Sequence, residues 1–246
     1  MSDTFFRTEM LLGENAMRKL KNSKVLIFGL GGVGSSAALA IARCGVGKMV
    51  IVDNDTVNET NINRQAIAFH STIGRPKTEV TKEFILDINP EAEVTTYQTF
   101  VLPDNLETVV DDDVDYIIDA IDTVSAKIAI AELAWHKDIR LISCMGTGNK
   151  LNPFAFKITD ISKTQMCPLC RVMRKELKAR GIGGLKVLYS EEVPLTPKKE
   201  VPKEEAGNRR GTPGSISFVP PTAGLMLTAE VVKTLVEEEK WIYLNI

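Results

Sequence analysis

The stretch KVLIFGLGGVGSSAALAIARCG, Lys24 to Gly45, decides the fold. Its opening, 24–30, is short and apolar, which predicts a buried strand. From Gly32 onward, small and apolar residues recur at helical spacing and stop at Gly45, which predicts a helix. Between the two lies Gly29-x-Gly31-x-x-Gly34, with Gly32 inside it. Glycines allow the tight turn and let backbone approach a phosphate, and the helix N-terminus supplies free N–H groups. Such a glycine triplet is a weak signal alone, but the strand–loop–helix setting points to a bound nucleotide. Asp53 follows ~20 residues on, closing a second strand, KMVIVDN (48–54), where a carboxylate accepts from ribose hydroxyls.

The alternation continues outward. RPKTEVTKEFILDINP (75–90) predicts an amphipathic helix, with Pro76 in its first turn and Pro90 as its stop. EVTTYQTF (93–100), DYIIDAID (115–122) and IRLISCMG (139–146) predict strands, and TVSAKIAIAELAWHK (123–137) a helix. Strand–helix alternation at this spacing implies an α/β fold, a Rossmann-like and mostly parallel sheet with helices on both faces. We expect one domain over 1–246, with a nucleotide-binding half at 1–150 and a substrate-facing half at 151–246. In the second half, FAFKITDI (154–161), KVLYS (186–190) and SISFVPP (215–221) predict strands. PLCRVMRKELKARGI (168–182) predicts a basic helix and TAGLMLTAEVVKTLVEEEK (222–240) a final helix. The Pro-, Lys- and Glu-rich run 191–214 has little to bury and predicts a mobile crossover loop.

Bulk composition excludes more than it selects. With 246 residues and 44% hydrophobic content the chain can bury one sizeable core. A net charge of −2 carries no global signature of nucleic-acid binding, so any such contact must come from a local patch. No apolar run reaches the ~20 residues that span a bilayer, and the N-terminus lacks a signal-peptide layout, so no membrane association is expected and cytoplasmic residence is the default. Two histidines, His70 and His136, supply a serine–histidine–acid triad poorly. Cys44 and Cys144 sit in apolar segments and read as packing.

A dinucleotide-binding dehydrogenase would account for the glycine loop and Asp53. It would not account for Asn61, Asn63, Arg64 and Gln65 just beyond, or for Lys77 in GRPK. A triphosphate carries more charge than a pyrophosphate diester and calls for guanidinium and ammonium groups. Asp122, closing the strand DYIIDAID, stands where a carboxylate holds magnesium on phosphates, its alternative being a helix N-cap.

Together, RTEMLLGENAMRKLKNSKVLIFGLGGVG, DNDTVNETNINRQ, GRPK and DAID resemble the ubiquitin-activating-enzyme-like adenylyltransferases, which include the molybdopterin and thiamin-biosynthesis activating proteins. The resemblance implies ATP and Mg2+ as cofactors and carboxylate adenylation as the chemistry. It implies that Asp53 holds the ribose and that Asn61, Arg64 and Lys77 hold the phosphates, with Asp55 and Gln65 among the nucleotide contacts. Arg64, Lys77 and Asp122 form the catalytic set it implies, Asp122 as the magnesium ligand. Arg7 matches an arginine that family members insert into the neighbouring subunit's ATP site, which implies a homodimer.

The substrate must be read from the second half. Relatives that activate ubiquitin-like proteins commonly hold zinc with two C-x-x-C pairs. Here CPLC gives Cys167 and Cys170 and no cysteine follows, so zinc is not expected unless a dimer shares the site. The crossover loop has no cysteine to take an acyl group. Seven basic residues and one acid lie between Lys163 and Lys186, and Arg171, Arg174, Lys175 and Lys178, with Arg180 beyond, are spaced to share a helical face suited to an RNA backbone. MGTGNKLNP, RVMRKELKARGI, VLYSEE and GTPGSISFVPPTAGL resemble the tRNA threonylcarbamoyladenosine dehydratase group over nearly the whole chain. That resemblance implies ATP-dependent dehydration of threonylcarbamoyladenosine beside the anticodon of tRNA, through adenylation of its carboxylate. The alternative is activation of the C-terminal carboxylate of a small sulfur-carrier protein. The carbonyls of MGTGNK offer a place for a monovalent cation, and a sulfur-relay partner of the cysteine-desulfurase type is left open.

Overall fold

The computed structural model describes residues 3–199 and 213–236. Seven strands form one sheet: β1 (Lys24–Phe28), β2 (Lys48–Val52), β3 (Glu93–Tyr97), β4 (Tyr116–Asp119), β5 (Arg140–Cys144), β6 (Phe156–Asp160) and β7 (Lys186–Ser190). Their order is β3-β2-β1-β4-β5-β7-β6, and only the β6–β7 pairing is antiparallel. The strands of the second half therefore continue the sheet of the first. Among the described residues six α-helices cover it: α1 (Phe6–Asn22), α2 (Gly32–Arg43), α3 (Lys77–Ile88), α4 (Val124–His136), α5 (Pro168–Ala179) and α6 (Val219–Val236).

Strand residues alternate between two apolar layers. Val25 and Ile27 of β1 join α1, α2, α3 and α6 on one face. Leu26 and Phe28 join α4 and the segment 103–108 on the other, and α5 extends that side over β7. Helix α6 lies tightly on α2, because a Cβ at Gly224 would come within 2.4 Å of the Val33 carbonyl oxygen. Burying an apolar strand on both faces is the reason for its continuous hydrophobic run.

The sheet order also places the site. After β1 the chain moves outward to β2 and β3, then returns to β4 on the other side of β1. Doubly wound sheets open a crevice beyond the carboxyl ends of the strands at such a reversal.

Some expectations need correction. SISFVPP is not a strand: no sheet pairing reaches it, a turn occupies 217–218, and α6 begins at Val219. The position beside β7 is already taken by β6, and Pro220 and Pro221 fit a helix's first turn, where N–H groups have no partner anyway. Helix α1 was not anticipated, and Gly13 breaks it with φ 80°. Helix α5 ends at Ala179, followed by Gly181 at φ 73°. Residues 191–199 carry no regular element, whereas 200–212 of the expected loop and 237–240 of the final helix lie outside the described residues.

Candidate active site

At the reversal point lies a cleft of about 570 Å³. Gly29, Gly31, Gly32, Asp53, Asp55, Asn61, Arg64, Gln65, Lys77 and Asp122 all line it. They come from separate segments that the sheet brings together.

The glycines divide the work among themselves. Gly29 has φ 85° and passes so close to β4 that a Cβ would meet the Ala120 oxygen at 2.9 Å. Gly31 is the N-cap of α2, and a Cβ there would meet no protein atom within 4 Å. It faces open cleft, as a phosphate cradle requires. Gly34 does not line the cleft: a Cβ there would fall 1.7 Å from the Gly29 oxygen, so its role is close packing of α2 on the loop.

Asp53 is fixed before any ligand arrives. Its carboxylate accepts the Leu30 N–H at 2.6 Å and the Asp55 N–H at 2.8 Å. Burial raises its pKa, opposed by Lys77 and these two N–H groups. Lys77 is 4% exposed, yet its Nζ reaches Asp55 at 2.9 Å and lies 3.9 Å from Asp53. One buried ammonium thus balances two carboxylates at the cleft wall.

The segment after β2 folds over the mouth. Asn61 closes a short capping box, its Oδ1 accepting the Asn58 N–H at 3.0 Å. Ser35 Oγ in α2 accepts the Ala66 N–H at 3.1 Å and ties the segment to the phosphate loop. The Arg64 guanidinium donates to the Thr60 carbonyl (2.8 Å) and to Asn63 Oδ1 (2.9 Å), both neutral, so its charge remains uncompensated. Burial lowers its pKa. Gln65 is buried, and its Oε1 has no hydrogen-bond partner among the described residues. A buried orphan acceptor on a cleft wall suits a ligand's donor.

Asp122 does not cap α4: that position is Thr123, without a side-chain cap bond. Its exposed carboxylate makes no hydrogen bond or ion pair among the described residues. No group of three or more ligating side chains is present among them either. One free carboxylate facing a phosphate site fits magnesium, which usually takes one or two carboxylates and completes its shell with water and phosphate oxygens.

Beneath Asp122 lies a network that residue spacing did not reveal. Asp119 and Lys127 are buried and meet at 2.9 Å. Asp119 also accepts the Ser143 hydroxyl (2.5 Å) and the Ile121 N–H (3.1 Å), and Lys127 donates to the Cys144 carbonyl at 2.7 Å. The turn carrying Asp122 is thereby fastened to the end of β5, which leads to Gly146, Thr147 and Gly148 in the cleft wall. The repeated aspartate of DAID was its only visible trace.

The basic helix is less uniform than its spacing suggests. Arg174 turns inward, its Nη1 donating to the carbonyls of Ile161 (3.2 Å) and Thr164 (3.0 Å) and to the Thr164 hydroxyl. Arg180 is paired with Glu176 at 2.8 Å and Glu132 at 3.7 Å. Arg171, Lys175 and Lys178 remain exposed and outward on α5. Arg7 is exposed on the first turn of α1 and does not line its own chain's cleft.

A model of the ThiF family matches residues 6–244. The chain belongs to the ThiF family. The tRNA threonylcarbamoyladenosine dehydratase of Bacillus subtilis is 43% identical over 97% of this chain and 96% of that protein. The Escherichia coli dehydratase of the same name is 36% identical over 80% of this chain and 76% of its own. The E. coli enzyme's structure in complex with AMP superposes with TM-score 0.85 at 32% identity, covering 94% of this chain and 93% of that one. Its complex with ATP gives 0.82. An adenylyltransferase and sulfurtransferase from Vanderwaltozyma polyspora is 36% identical over 56% of this chain but 31% of its own length. Family membership sets aside the nicotinamide reading.

Proposed function

We propose that this chain is an ATP-dependent dehydratase of threonylcarbamoyladenosine in tRNA, acting in the cytoplasm. One observation carries the reading: the chain that forms this cleft is 43% identical to a tRNA threonylcarbamoyladenosine dehydratase over 97% of its own length and 96% of that protein's.

ATP lies with its phosphates at Gly31 and the α2 N-terminus and its ribose on Asp53. Arg64 and Lys77 offset the phosphate charge. Asp122 would hold magnesium, which would supply further neutralisation of the polyphosphate. The substrate carboxylate attacks the α-phosphorus and pyrophosphate leaves. An atom of the modification itself then attacks the acyl adenylate, closes a ring and expels AMP. Net, the nucleoside loses one water. The protein contributes positioning and preorganised charge, and no covalent link to it forms. Because the nucleophile belongs to the substrate, no sulfur-relay partner is needed for this step.

Arg7 acts in a second copy. It stands beside Phe6, Met10 and Leu11, which are 59%, 71% and 86% exposed, an apolar edge that a homodimer would cover. Arg171, Lys175 and Lys178 take the tRNA backbone. AMP and pyrophosphate release tests the scheme. Both should appear with tRNA bearing the modification and fall to background with unmodified tRNA. Release driven by a small carrier protein without RNA would overturn it.

A further inference from the structure

The CPLC pair has no part in the adenylation scheme, and neither cysteine lines the nucleotide cleft. The structure gives the pair a definite arrangement. Cys167 is the N-cap of α5, half-buried, with φ −90° and ψ 115°. Its sulfur accepts the N–H of Cys170 at 3.5 Å. Cys170 sits on the first turn, 0% exposed, packed in the cluster that holds Met145, Ile161 and Met173. One helix N-terminus thus carries a half-buried cysteine and, beside it, a fully buried one.

The surroundings divide the chemistry between them. The neighbouring Cys170 side chain holds the Cys167 thiol below the ordinary range, against burial, aided by the N–H groups of Cys170 and Leu169 and by Lys150. The nearness of Cys167, with burial, pushes the Cys170 thiol up. Burial pushes Cys144 up to about 12 and raises Cys44 as well. Of the four cysteines, Cys167 alone is both part-exposed and at a helix N-terminus that favours the thiolate, and the buried Cys170 lies against it. A metal reading lacks ligands: no cluster of three or more His, Cys, Asp or Glu is found among the described residues.

We propose that Cys167 and Cys170 are a redox-active dithiol that closes to an intramolecular disulfide by exchange with a small-molecule disulfide of the glutathione type. The Cys167 thiolate attacks one sulfur of the oxidant, forming a mixed disulfide and releasing one thiol. Cys170 gives its proton to solvent, and its sulfur attacks Sγ of Cys167 and expels the second thiol. Two protein thiols are oxidised and one disulfide is reduced to two thiols, so the exchange balances. Disulfides of this kind in a reducing compartment are transient rather than structural.

The full-length chain equilibrated in mixtures of reduced and oxidised glutathione, quenched by alkylation under denaturing conditions and weighed, tests this. The oxidised chain should be lighter by two hydrogens, alkylated only at Cys44 and Cys144, and restored by dithiothreitol. Cys170→Ser should stop at a glutathione adduct on Cys167, and Cys167→Ser should stay unmodified in the same mixture. Reduced native protein should react with iodoacetamide first at Cys167, at a rate that persists below the ordinary thiol range of about 8.5. A wild-type chain alkylated at all four cysteines, or one carrying a lasting glutathione adduct, would overturn the proposal. So would equal alkylation rates at Cys167 and Cys44.

Discussion

Single residues in the cleft make separable contributions. Gly31 and Gly34 belong to one motif and should fail differently. Gly31→Ala adds a methyl that meets no protein atom, at φ −71°, where alanine is unstrained. It should cost little stability while weakening ATP binding at least tenfold by calorimetry. Gly34→Ala drives a methyl into the Gly29 carbonyl and should destabilise by at least about 1–3 kcal/mol in urea unfolding. Arg64→Ala removes a cation that offsets phosphate charge, and Asp122→Ala removes the carboxylate that would hold the magnesium. Each should lower kcat/KM for tRNA-dependent AMP formation on the order of 100-fold, about 3 kcal/mol, with the circular-dichroism spectrum unchanged. These residues were legible in the sequence because phosphate chemistry restricts the residue types that serve it. The orphan Gln65 Oε1 was legible only as a residue type, since its burial depends on the fold.

Elements carry what spacing alone could not. Strands β1, β2, β4 and β5 announce themselves as apolar runs because both their faces are covered. Helix α1 does not, because Gly13 interrupts its periodicity and its first turns leave Met10 and Leu11 in solvent. SISFVPP alternates like a strand, but a turn at 217–218 and the helix start at Val219, followed by Pro220 and Pro221, take its residues. The Asp119–Lys127 pair joins β4 to α4, and its third member, Ser143, comes from β5, so no local pattern could reveal it. Lys127→Met would leave a buried carboxylate unpaired and should cost about 3–5 kcal/mol in urea unfolding. Adding Asp119→Leu should recover part of that loss, a coupling that a double-mutant cycle would read. On α5, the outward cations are separable from the inward one. Arg171→Glu with Lys175→Glu and Lys178→Glu should weaken tRNA binding and flatten its salt dependence while leaving ATP affinity unchanged. Arg174→Ala should instead lower stability, because it releases the Ile161 and Thr164 carbonyls.

At the scale of the molecule, the reversal of strand order around β1 gathers residues from distant segments into one cleft. The fold class follows from the strand–helix alternation, and the chemistry from the charged set added to a dinucleotide-type loop. The second substrate depends on surfaces outside the cleft, which are harder to read because many carboxylates and nucleic acids are served by similar exposed cations. The central claim is that adenylation here ends in ring closure on tRNA. It is tested most directly by incubating the protein with ATP, magnesium and tRNA bearing threonylcarbamoyladenosine, digesting the tRNA under neutral conditions and weighing the nucleosides. The account predicts a modified nucleoside lighter by one water, ~18 mass units, formed with one AMP per event and abolished by Asp122→Ala. A nucleoside of unchanged mass, in the presence of ATP turnover, would contradict it.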